Sequence, residues 1–241
     1  MLRKTHWFIV TLAGMLAMPL SALEETPETP APVSLAELAS AADLIAVVRV
    51  ADTDYEYTRE FPTGGTAFLQ ILIPYKVSRP LPDIIEVYEE GLRAGECYFE
   101  NPTVLEEGRR HLVFLKFSEE FEDQYNGLAQ GCRLDVLVTS ENTYALRFPL
   151  NGIELSDDLA SIVQPIDYAD AYAVFDFEGL NPEERIELQE NGYLERDGGA
   201  YKYTHGVALS EVRKLMGPEA LTLDRSLRQT QPPPEDQETI R

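Results

Sequence analysis

Cysteine is nearly missing from this chain of 241 residues: Cys97 and Cys132 are the pair. Tryptophan occurs once and histidine three times, and 20 Lys and Arg stand against 42 Asp and Glu. Each scarcity removes a class of function. With a formal charge of −22 and so few cations, neither nucleic acid nor an anionic membrane is an expected partner, because both need clustered Lys and Arg. The cysteines lie too far apart for the C-x-x-C of a redox site. Beyond the first 22 residues only His111 and His205 remain, and no H-E-x-x-H or comparable ligand spacing surrounds either. There is no G-x-S-x-G nucleophile elbow, no Walker-type glycine loop and no internal repeat. No cofactor is expected. The acidic side chains leave one catalytic class open, a carboxylate-based periplasmic hydrolase, since sequence gives no distances between carboxylates.

What is present begins with an address. Arg3 and Lys4 precede an apolar run over 7–20, and the small pair Ser21-Ala22 stands before the acidic Leu23-Glu24-Glu25. That order predicts a cleaved export signal over 1–22. The run is short for a membrane span, and no basic stop-transfer cluster follows it. Its removal takes two basic residues and no acidic one, leaving a formal −24. An exported protein, periplasmic or secreted, sits where thiols oxidise, so a Cys97–Cys132 bridge is expected. Closing that loop is worth about 3–4 kcal/mol on the chain-entropy account.

Periodicity supplies the architecture. Residues 23–33 read as a disordered Pro/Glu/Thr leader, and Ser34 with Glu37 has the spacing of a capping box opening a short helix. Strands are predicted over 44–50, 67–77, 84–89, 111–117, 127–138 and 144–150, with 52–65 as a long polar connection. Pro74 marks an edge or a bulge. Strand 111–117 is apolar on both faces, whereas 127–138 points Arg133 and Asp135 outward. Short strands separated by Gly and Pro favour a small barrel or sandwich over a βαβ sheet. Over 151–220 a helix starting at Asn181-Pro182, a hairpin turning at Asp197-Gly198-Gly199 and a helix over 209–216 predict a small α/β extension packed on the barrel. The segment 221–241 reads as a disordered tail. The expected fold is mainly β with an α+β extension: a closed or partly open β-barrel over 34–150, short helices and one disulfide.

Four stretches carry a likeness to a known group: ADLIAVVRV at 42–50, the second strand ending in YKV, VLEEGRRHLVFLKF at 104–117 and GLAQGCRLDV at 127–136. Together they resemble exported bacterial proteins of uncharacterised function. The resemblance covers 34–150 and implies an OB-like β-barrel, similar to tissue inhibitors of metalloproteases and netrin modules. In those inhibitors the mature N-terminal cysteine chelates the target's zinc. The expected mature terminus here is Leu23 and the nearest cysteine is Cys97, so that mechanism is not implied.

Three sets of residues are candidates for function. Asp52, Asp54 and Glu56 alternate and would share one face of an extended chain, where they would hold a hard cation or simply stand in water. The EF-hand pattern fails, with Tyr57 and Thr63 at its glycine and bidentate-glutamate positions. Tyr55, Tyr57 and Phe61 are aromatics that either contact a ligand or close the end of a barrel, and the same choice applies to Tyr168, Tyr172, Phe175 and Phe177. His111 and His205 read as structural. The expected function is a non-catalytic binding or interaction module with a protein or polymer partner; the alternatives are the carboxylate hydrolase and a cation-binding protein using the Asp52–Glu56 edge.

Overall fold

The computed structural model describes residues 31–91, 97–103, 107–176 and 180–221. The expected export signal, most of the leader, Phe177 and nearly all of the tail lie outside those residues. Ser34 caps the first helix, α1 (Leu35–Ala41), and Glu37 returns the bond to the Ser34 backbone, completing the capping box. Just before it, Val33 exchanges backbone hydrogen bonds with Glu154 and Ser156, so the chain is tied down one residue ahead of the helix.

Seven strands follow: β1 (Leu44–Thr58), β2 (Phe61–Val77), β3 (Ile84–Glu90), β4 (Arg110–Phe117), β5 (Gln124–Gly127), β6 (Arg133–Val138) and β7 (Tyr144–Phe148). Hydrogen bonding runs β1-β2-β3-β5-β4, and β4 returns to β1 along Leu44↔Leu115 to Arg49↔Arg110, which closes a five-stranded barrel. The bridge joins Cys97 to Cys132, with Cα atoms 5.6 Å apart. Among the described residues no helix is long and apolar enough to cross a membrane.

Alternation decides the core. Leu44, Ala46, Val48 and Val50 of β1 pack inside the barrel with Val113 and Leu115 of β4, while Ile45 and Val47 turn to a second core with Leu112 and Phe114. Both faces of β4 are therefore buried, as its sequence predicts. The second core is roofed by α1 through Leu35, Leu38 and Ala39.

Two strand boundaries differ from the sequence reading. The polar stretch 52–65 is not a loop. β1 and β2 run on as a ribbon, flanked by β3 as far as Gly64, and turn only at Arg59-Glu60, with Arg59 at φ 61°. The polar stretch keeps a two-residue alternation of carboxylate and aromatic side chains, and Gly65 removes the Cβ that would stand 2.2 Å from the Asp54 carbonyl. Pro74 sits beside a register shift between Ile45 and Ala46, at a bulge, as expected. The second difference is at 127–138, where one strand was expected and two form. A Cβ at Gly127 would lie 2.8 Å from Cys97 Cβ, and Gly131 adopts φ 106°; the break between β5 and β6 is what admits the disulfide.

The rest of the described chain adds β8 (Gln164–Pro165), β9 (Val174–Phe175), α2 (Pro182–Glu190), β10 (Leu194–Asp197), β11 (Ala200–Tyr203), β12 (His205–Ala208) and α3 (Leu209–Leu215). Asn181 caps α2 with Pro182 at its first turn, and the β10–β11 hairpin turns at Gly198-Gly199, both where the sequence places them. β12 pairs with β7, so the nine-stranded sheet runs β1-β2-β3-β5-β4-β6-β7-β12-β8. Val207, Val212 and Met216 complete the core beneath α1. The C-terminal segment thus shares backbone ladder and core with the barrel.

Candidate functional site

The β1–β2 ribbon carries two of the three candidate sets. Asp52, Asp54 and Glu56 share one strand face and are exposed, and among the described residues no three His, Cys, Asp or Glu side chains converge as a metal site would need. The aromatics divide. Tyr55 folds back on the barrel: its hydroxyl accepts the Phe99 N–H at 3.1 Å, and its ring meets Tyr98 edge-on at 5.1 Å. Burial pushes its phenol well above the ordinary range, against the opposing pull of that hydrogen bond. Tyr57 and Phe61, flanking the turn, are 55% and 63% exposed. One of the three closes the barrel end, and two face solvent at the tip of an arm.

The strand face expected to point outward at Arg133 and Asp135 is covered instead. Asp135 lies directly across from His111, with Oδ1 3.1 Å from the imidazole Nδ1, and its Oδ2 meets Arg147 at 3.3 Å and the Asn151 amide at 3.2 Å. Arg147 in turn donates to the Tyr203 hydroxyl. Burial opposes ionisation of Asp135, but the His111 hydrogen bond, the neighbouring cationic charge and Asn151 outweigh it and hold the carboxyl far below its usual range. His111 also has a lowered pKa, in its case chiefly because burial disfavours the charged ring. A neutral imidazole lying 3.1 Å from an ionised Asp135 satisfies both. The His111 ring is 0% exposed, whereas the Asp135 side chain is 12% exposed. His205, the other histidine, places Nδ1 2.9 Å from the Thr204 hydroxyl at the start of β12.

Beside this network the molecule opens a cleft of ≈ 700 Å³ between the start of β4 and the 169–175 segment. Arg109, Arg110, Tyr172, Val174 and Phe175 line it, and a small recess sharing Arg109, Arg110 and Tyr172 leads on to Asp135 and Arg147. One buried carboxylate builds this wall. Asp170 accepts the Val138 N–H at 3.0 Å and Arg110 Nη1 at 3.3 Å on one oxygen, and the Tyr172 N–H at 3.0 Å on the other. Cross-strand pairing sets Arg49 directly opposite Arg110, a like-charge contact relieved by Glu107, which reaches both. The sequence reading passed over these arginines. The adjacent Arg109-Arg110, in a chain so poor in cations, was the available signal; Arg147 and Asp170, distant in sequence, gave none.

Compared with known proteins, the chain matches no family model, no curated protein and no solved structure.

Proposed function

We propose that the protein is an exported, non-catalytic binding module of the OB-like kind, engaging a partner protein through the tip of the β1–β2 ribbon. The observation that carries this is the exposure of Tyr57 and Phe61 on an arm extending past the closed barrel. Large aromatics are expensive to leave in water and are favoured where one protein anchors on another. The row Asp52, Asp54 and Glu56 runs up the same arm, so the complementary partner presents basic side chains around an apolar socket. The disulfide is consistent with an oxidising compartment. His111 is wholly buried and so is not placed to act on a substrate, which favours binding over hydrolysis.

The test is a photo-crosslinking residue at position 61, activated in the exporting cell, with the captured partner identified by mass and then purified. Direct titration should show binding to the wild type and at least about a tenfold loss with Y57A/F61A, the size of an interface hot spot. Equal binding by the double variant, or a crosslink only to a second copy of the chain, would overturn the reading.

A further inference from the structure

Arginine is concentrated at the cleft of ≈ 700 Å³ in this acidic molecule. The Arg109 guanidinium is held at two points: Nε lies 2.7 Å from Glu100, and the group stands over the Tyr172 ring at 4.6 Å. Tyr172 is itself anchored, its hydroxyl donating to the Glu107 carbonyl at 2.6 Å and its N–H to Asp170. Among the described residues nothing hydrogen-bonds the two terminal nitrogens of Arg109, so a planar two-donor fork is presented by a fixed side chain that is 36% exposed. The remaining wall is apolar, with Ala169, Ala171, Val174 and Phe175.

We propose that this cleft binds a monocarboxylate carrying an apolar substituent, the Arg109 fork taking the carboxylate and the Val174–Phe175 wall the apolar part. Paired N–H donors in one plane match a carboxylate. The acidic surroundings set the charge of the ligand. Glu100, Glu107 and Asp170 border the same cleft, and a doubly charged phosphate would meet their repulsion with only one open fork to offset it. Glu100 and Glu107 are each 64% exposed, so solvent screens much of their repulsion of a single negative charge. The volume falls in the range of small-molecule and peptide-end sites. This site lies apart from the ribbon tip, and either can fail without the other.

Isotope-edited NMR of the full mature chain decides the matter with three probes: N-acetyl-Ala-Ala-Phe with a free carboxyl terminus, its amide, and 3-phenylpropionate. The free-acid peptide should shift the amides of residues 169–175 and bind at least about tenfold more tightly than the amide, the size of one charge-assisted contact. R109Q should remove that preference, R109K should restore part of it, and R59Q at the ribbon turn should leave it intact, all with unchanged melting temperature. Phenylpropionate binding as tightly as the peptide would identify a free acid as the source; much weaker binding would identify a chain terminus. No response to any probe at millimolar concentration, or a response unchanged in R109Q, overturns the proposal.

Discussion

Asp135 and His111 give the fold its sensitivity to acid. His111 is kept neutral because burial strips water from its charged form, with Arg133 and Arg109 adding to that effect and Asp135 opposing it. An unfolded chain accepts a proton near the ordinary value of 6.5 that the folded chain refuses. This contribution is therefore complete above that pH and declines as pH falls through it. Asp135 has the opposite chemistry and the same sign: its depressed pKa stabilises the fold above the unfolded value of 3.8 and is lost on further acidification. Urea titrations at pH 7.5, 6 and 5 should show stability falling across this range, and H111N should flatten the fall; an unchanged slope would mean that His111 is not the group responsible. Asp170 acts at the same scale. Its carboxylate serves two backbone N–H groups and Arg110 while itself only 4% exposed, so D170A should cost about 3 kcal/mol in chemical denaturation. That His111 is structural was readable from its place at the head of an apolar strand. Its partner was not, because Asp135 lies on another strand and cross-strand register has no local signature.

The β1–β2 ribbon behaves as two elements joined end to end. Its inner half is built into two cores; its outer half is still paired with β3 from Gly64 onward, and only the turn, where Tyr57 faces Pro62 and Thr58 faces Phe61, pairs with itself alone. Y57A/F61A should change global stability by no more than about 0.5 kcal/mol, as for exposed sites generally. Y55A should cost about 3 kcal/mol, by removing a buried aromatic and leaving the Phe99 N–H without its acceptor. Thermal and urea unfolding of the two variants checks both, and equal losses would show the outer ribbon to be part of the cooperative core. The sequence gives Tyr55, Tyr57 and Phe61 the same appearance. What separates them is the approach of the 97–100 segment, brought over Tyr55 by a bridge that closes far along the chain.

At the scale of the whole molecule the barrel and the C-terminal segment are interdependent. Val207, Val212 and Met216 are at most 1% exposed and pack with Leu35, Phe114 and Leu146. A chain ended after Thr204 should fail to show a cooperative unfolding transition, even with the barrel strands all present; a cooperative melt by circular dichroism would show that the fold does not depend on β12 and α3. The disulfide works at the same level. C97A/C132A should lose about 2–5 kcal/mol, as for native bridges in small domains, measured against oxidised wild type.

Local chemistry determined a good share of this: the Ser34–Glu37 cap, the two-faced burial of β4, the Asn181-Pro182 start of α2 and the hairpin at Gly198-Gly199 each depend on neighbours a few residues away. Cys97 and Cys132 were paired by elimination, since no other thiol exists. Tertiary structure alone decided where strands end and which charges meet. The ribbon continues through a polar stretch because its two halves hydrogen-bond to each other, and β5 parts from β6 because two sulfurs need the space. The arginine cleft and the His111–Asp135 pair join residues on four separate segments. Attraction and burial at such contacts depend on distance in space, which the order of residues does not contain.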